Sequence, residues 1–270
     1  MELNNIELKD DEYVKDDLIY CKLCNTPRSL YIKNTLKRCL CDCLTTKRDD
    51  EYRQIAEAAR LHDLENLKIN SLIGERYKDV NFENTVIDNN QTFNIAYTRC
   101  KKYCEVSKTV LNNGMGIYIY GDTGTGKTHI TACMANTLLN QGYSVLFTNF
   151  FEISKSLKST FGKSELSEND YINNLANIDF LFIDDLGTER VQSGESDLWM
   201  QEKIFDVLNR RYNNRKPTIF TSNHSIKELV NERGFMKKTV DRIIEMSVVI
   251  LKIEGESFRR KNRKNVDVPF

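Results

Sequence analysis

The stretch Gly121-Asp122-Thr123-Gly124-Thr125-Gly126-Lys127-Thr128 satisfies the pattern G-x-x-x-x-G-K-[ST]. Its glycines let the backbone curl so that successive N–H groups, and the positive end of a following helix, face a chain of phosphates. Lys127 would reach the β- and γ-phosphates, and the Thr128 hydroxyl would ligate Mg²⁺. The motif follows the apolar run Ile117–Tyr120 and opens a helical pattern from Lys127 to Asn140, the strand–loop–helix setting that such a loop requires.

A metal-bound triphosphate also needs a carboxylate from a second element. Phe180-Leu-Phe-Ile-Asp184-Asp185 carries two at the end of a wholly apolar segment, the pattern of a strand buried on both faces. Asp184 is the expected Mg²⁺ ligand, through water, and Asp185 the group that polarises the attacking water. A third run, Pro217-Thr-Ile-Phe-Thr-Ser-Asn223, ends in an amide that could hold this water or the γ-phosphate. Open α/β sheets bind ligands at the carboxyl ends of their strands, so the three strand ends point to one site. A nucleotide kinase would add an acceptor site and an arginine-rich lid, and neither is found between these strands.

Of eight cysteines, Cys21, Cys24, Cys39, Cys41 and Cys43 crowd into one stretch, while Cys100, Cys104 and Cys133 fall on apparent helices. Four thiolates hold Zn²⁺ tetrahedrally. Cys21-x2-Cys24 supplies one pair; the second is Cys41-x-Cys43 after sixteen residues or Cys39-x-Cys41 after fourteen. The preferred set is Cys21, Cys24, Cys41 and Cys43, with Cys39 as the alternate. An iron–sulfur cluster and unliganded thiols compete for the same residues. Cys100 and Cys104 stand at i, i+4 with no nearby histidine or further cysteine, and are read, like Cys133, as core packing.

The elements that must position these groups follow from periodicity. From Gly114 onward, five short apolar runs alternate with helices, the signature of an α/β fold with a parallel sheet. The predicted strands are Ile117–Tyr120, Ser144–Asn149, Phe180–Asp184, Thr218–Ser222 and Val248–Ile253. Helices are predicted at Lys127–Asn140, Trp199–Asn213 and Thr239–Met246, preceded by one at Gln91–Asn112 and a charged one at Thr45–Asn66 with Ile55, Ala59 and His62 on one face. Residues 1–70 read as a small cysteine-bearing module with a helical stalk, and residues 71–270 as the phosphate-binding domain.

Composition bounds the rest. At 270 residues, 40% hydrophobic and 29% charged, the chain has the make-up of a folded globular protein. No apolar run approaches the ~18 residues of a membrane span, and the acidic N-terminus is unlike a secretory signal, so a cytoplasmic location without membrane contact is expected. Lys+Arg and Asp+Glu both number 39, so any nucleic-acid contact must come from a local patch.

The set GDTGTGKTH, FLFIDDLGTE, LNRRYNNRKPTIFTSN, VDRIIEM and GESFR resembles the AAA+ ATPases of the DnaC/DnaI helicase-loader group and the related IstB transposition helpers. The likeness spans roughly residues 69–260; AAA+ proteins at large share the first two motifs but not the RRYNNRKPTIFTSN and G-x-SFR stretches. The resemblance implies ATP as ligand, Asn223 as sensor 1, Arg242 as an arginine finger reaching a neighbouring subunit's γ-phosphate, and Arg259 as sensor 2. It therefore implies an ATP-dependent homo-oligomer, hexameric or spiral, and a core without a helical lid domain. It further implies that residues 1–70 form a zinc module docking on a DnaB-type replicative helicase, with single-stranded DNA as a second partner. Phe150 and Phe151 with Lys155, Lys158 and Lys163 have the aromatic and basic mixture for such DNA, and the tail Arg259–Lys264 could touch its phosphates. A transposition adaptor of the IstB kind, or an ATP-binding decoy of the helicase, are the rival roles.

Overall fold

The computed structural model describes residues 8–33, 35–87, 89–159, 167–188 and 195–258. Arg259, Lys163 and the basic tail lie outside the described residues. The chain divides into two compact units, Met1–Asp63 and Leu64–Phe270.

The first unit is built from two hairpins. Strands β1 (Glu12–Lys15) and β2 (Leu18–Cys21) pair antiparallel through a turn in which Asp16 and Asp17 both take positive φ. Two-residue hairpin turns use that left-handed backbone region because it matches the right-handed twist of the strands, and aspartate tolerates it. Strands β3 (Ser29–Ile32) and β4 (Thr35–Arg38) form the second hairpin. Sequence periodicity missed all four because each strand has only four residues. Among the described residues of this unit, the buried hydrophobic side chains are Ile19, Cys21 and Cys41. So small an apolar core does not hold a domain of this size, which is the circumstance in which a structural metal supplies the missing stability.

Helix α1 (Asp42–Asn70) starts earlier and ends later than the predicted Thr45–Asn66, and has no buried residue. The expected stripe of Ile55, Ala59 and His62 is exposed.

In the second unit, the predicted helix Gln91–Asn112 is two helices, α2 (Gln91–Glu105) and α3 (Ser107–Asn113), broken at Val106, whose ψ of 24° departs from the helical value. Asn90 caps α2 by accepting from the Phe93 N–H. The sheet contains β5 (Gly116–Gly121), β6 (Val145–Asn149), β7 (Phe180–Leu186), β8 (Thr218–Ser222) and β9 (Ser247–Ile253). They run in the order β6-β7-β8-β5-β9, all parallel. All five predicted strands are therefore present, within one or two residues at each end.

Helices α4 (Lys127–Asn140), α5 (Phe150–Ser159), α6 (Glu168–Asn177), α7 (Glu195–Asn213), α8 (Ile226–Asn231) and α9 (Lys237–Met246) complete the unit. The residues of α4 are buried nearly all round, because it is packed between the sheet and α2. Cys100, Cys104 and Cys133 all lie in that core, and burial pushes each thiol above its ordinary range. The sheet separates this layer from a second core in which α5, α6, α7 and α9 pack on the other face. After β9 the described chain turns at Gly255 and ends at Phe258, with no helical lid among the described residues.

Candidate functional site

The phosphate loop occupies the carboxyl end of β5, between β8 and β9 in the sheet. Gly121, Gly124 and Gly126 have φ of 142°, 84° and 96°, conformations closed to other residues without strain. A side chain at Gly124 would strike Ser257, and one at Gly126 would strike Phe93. The loop is thus pressed from outside by α2 and by the segment after β9, where the Phe258 N–H donates to the Gly124 carbonyl at 2.9 Å. Asn90 and Thr92 tether that segment in turn through the Glu254 carbonyl. Asp122 and Thr123, at the tip, are exposed.

The buried Lys127 ammonium donates to the carbonyls of Gly121 and Asp122 and to Asn223 Oδ1, each at 2.8 Å. Asn223 Nδ2 donates to Asp185 Oδ1 at 2.8 Å. The Thr128 hydroxyl lies 3.1 Å from both oxygens of Asp184. A hydroxyl and a carboxylate brought together beside a phosphate loop are the donor set that Mg²⁺ takes. Burial raises the Asp184 carboxyl above its usual range, with hydrogen bonds from Thr221 and Thr128 acting the other way. A divalent cation would reverse the cost of that burial.

Thr221 was missed by the sequence reading. Its hydroxyl donates to Asp184 Oδ1 at 2.5 Å and accepts from the Asp185 N–H at 2.8 Å. The pairing of β7 with β8 slips between Ile183 and Leu186, and Asp185 sits at φ 56°. Side chains rarely occupy that region, and such strain concentrates at working sites. The one signal in the sequence was a hydroxyl two residues before Asn223.

Beside these carboxylates opens a cavity of about 300 Å³, walled by Asn149, Phe150, Phe151 and Phe235. Phe150 is not free to stack on a base: it packs edge-on against Phe235, with ring centroids 5.7 Å apart. Phe151 is exposed, as are Lys155 and Lys158. Arg242 is held within its own chain. Its guanidinium lies 4.0 Å over the Tyr212 ring, pairs with Glu245 and donates to Asn209 at 3.0 Å.

In the first unit the sulfurs of Cys21, Cys24, Cys41 and Cys43 lie within 4.8 Å of one another. Sulfur–sulfur separations are 3.7 Å for Cys21–Cys43 and 3.4 Å for Cys41–Cys43. A tetrahedron with Zn–S bonds of ~2.3 Å has edges of about 3.8 Å, so the donor set fits that ion. Cys39 points elsewhere, toward the Pro27 carbonyl.

The sequence model of the IstB-like ATP binding proteins matches residues 83–266. The chain belongs to this family. Among proteins similar to the IstB-like chain is the replicative helicase loader DnaC of Escherichia coli K12, 29% identical over 168 residues. That match covers 62% of this chain and 64% of the relative. The replicative helicase loader DnaI of Bacillus subtilis is 30% identical over 170 residues, 59% of this chain and 50% of its own length. The IstB-like chain thus spans between half and two thirds of these two relatives. A crystal structure of the DnaC helicase loader superposes with a TM-score of 0.56 at 25% identity, covering 67% of this chain and 99% of that one. The AAA+ P-loop fold and the likeness to DnaC/DnaI-type loaders expected from the motifs are both present. Among the described residues, no helix is long and apolar enough to cross a membrane.

Proposed function

We propose that this chain is an ATP-hydrolysing loader that binds a hexameric DnaB-type replicative helicase and delivers it onto single-stranded DNA. The observation that carries the reading is the connected set Lys127–Asn223–Asp185 beside Thr128–Asp184, in a chain whose relatives include helicase loaders. Residues 1–70 would be the zinc-bearing, helicase-binding module and residues 71–270 the ATPase.

Each residue then has a task. The N–H groups of Gly121–Thr128 and the α4 N-terminus bind the phosphates, and Lys127 exchanges its loop carbonyls for phosphate oxygens. Thr128 and Asp184 would hold Mg²⁺, which when bound would neutralise charge on the phosphates. Asp185 and Asn223 orient water against the γ-phosphorus; the bond to the β,γ-bridging oxygen breaks and ADP and phosphate leave. Arg242 would act on the γ-phosphate of an adjacent copy after leaving Tyr212, Asn209 and Glu245, so ATP would favour an assembled state and hydrolysis its dissolution. Arg259 would sense nucleotide. Phe151, Lys155 and Lys158 would contact DNA.

The test is light scattering after size exclusion of the protein mixed with its host's replicative helicase, in ATP and Mg²⁺, with and without a zinc chelator. A joint complex lost on chelation supports the loader. Absence of any complex defeats it and favours the second reading, a transposition adaptor, in keeping with the motifs shared with IstB transposition helpers.

A further inference from the structure

We propose that Arg28 is a positioning and charge-balancing residue of a four-thiolate metal centre, one that binds two of the four sulfurs and sets their donor strength. The inference rests on the zinc reading of the cysteine cluster. Arg28 Nε donates to the Cys41 sulfur at 3.2 Å, and Nη2 donates to the Cys21 sulfur at 3.3 Å. These are the two fully buried thiols of the set; Cys24 and Cys43 are half-buried, and Cys24 lies 3.0 Å from the Thr26 hydroxyl instead.

The charges explain the arrangement. A dication with four thiolates carries two net negative charges, and burying them without a compensating partner is costly. Arg28 brings a positive charge to the inner, buried side of the cluster, with a side chain only 5% exposed. Its aim is set from behind: Asp11 holds Nη2 at 2.7 Å and Glu12 holds Nη1 at 3.4 Å, while Glu12 is itself buried and pairs with Arg38 at 2.6 Å. The backbone joins both cysteine pairs too. The Arg28 N–H donates to the Ile19 carbonyl at 2.6 Å, two residues before Cys21, and its carbonyl accepts from the Cys39 N–H at 2.7 Å, two residues before Cys41. A planar fork can serve two sulfurs and two carboxylates at once, which a lysine's single ammonium cannot.

The experiment uses the full chain, with zinc affinity from competition against a chromogenic chelator and the spectrum of the Co²⁺-substituted protein. Wild type must bind one metal ion per chain with sulfur-to-cobalt charge-transfer bands; if it does not, the zinc reading itself fails. Arg28→Gln is expected to weaken zinc binding by about 10- to 100-fold, the usual cost of losing a partner of a metal ligand. Its charge-transfer bands should move to lower energy, because sulfurs no longer bound by N–H groups give up electrons more readily. Arg28→Lys should fall between the two, and reports the bands if the glutamine variant binds too weakly to show them. Affinities within about twofold of wild type in both variants would overturn the proposal. So would weakened binding with unmoved bands, which would leave Arg28 as a brace of the fold alone.

Discussion

Lys127 and Asn223 are joined by a 2.8 Å hydrogen bond between positions 96 residues apart, and Asn223 passes the contact on to Asp185. The group that would bind phosphate and the group that would hold water are therefore linked through one amide. Replacing it should disturb the geometry of attack more than the grip on nucleotide. Asn223→Ala is expected to lower kcat by roughly 10- to 100-fold while leaving KM for ATP nearly unchanged, as steady-state phosphate release would show. A rise in KM with kcat intact would place Asn223 in ground-state binding instead.

Arg242 is stacked on Tyr212 and bound to Asn209 and Glu245, all in its own chain. If it serves a neighbour, Arg242→Ala should cost about a hundredfold or more in turnover without loss of ATP binding. Mixing Arg242→Ala with Lys127→Ala should then restore measurable turnover, because each supplies what the other lacks. Two inactive proteins that stay inactive when mixed would rule out action across an interface.

The two units should respond differently to metal removal. Chelation should release one zinc per chain and open residues up to about 63 to protease, with the thermal transition of the second unit unchanged. Cys21→Ser should abolish metal binding and Cys39→Ser should not, since the Cys39 sulfur faces the Pro27 carbonyl. Equal losses from both substitutions would return Cys39 to the ligand set.

Asp179 ties three strand starts together, accepting from the Ser144 N–H at 3.1 Å and pairing with Lys216 at 2.8 Å. Burial raises its carboxyl, but the contacts with Lys216 and Ser144 outweigh this and leave it below its ordinary value. A carboxylate depressed in the folded state stabilises fully above its unfolded value of 3.8 and loses that contribution as pH falls through the folded value. Asp179→Asn should thus cost about 1–2 kcal/mol by urea unfolding at neutral pH, and progressively less below pH ~4.

Arg211 is wholly buried and donates to the Thr218 hydroxyl and to the carbonyls of Leu175, Ile178 and Pro217. Arg211→Met would strand those acceptors at the end of α6 and the starts of β7 and β8. The expected loss is about 3–5 kcal/mol of stability in denaturant titration. A loss below about 1 kcal/mol would mean that water replaces the guanidinium.

The phosphate loop was legible because its chemistry is local: eight consecutive residues carry the turn, the charge and the hydroxyl, and the helix they start needs no distant partner. Asp184, Asp185 and Asn223 were legible because each ends an apolar run, and apolar runs mark strands. Thr221 was not, since its role arises only when β7 slips against β8 and sets a hydroxyl between two carboxylate residues. The break at Val106 was also hidden, because the residues on either side keep a helical apolar pattern through it.

The amino-acid sequence by itself determined which segments become the five strands of the parallel sheet, where the phosphate loop lies, and which five cysteines compete for a metal. Each depends on near neighbours, through backbone conformation and side-chain period. Only the tertiary structure decided the order β6-β7-β8-β5-β9, the choice of Cys43 over Cys39, and the aim of Arg28 at two sulfurs. These depend on strand pairing and burial between residues far apart in the chain, where the free energy of one arrangement over another is set by the whole core.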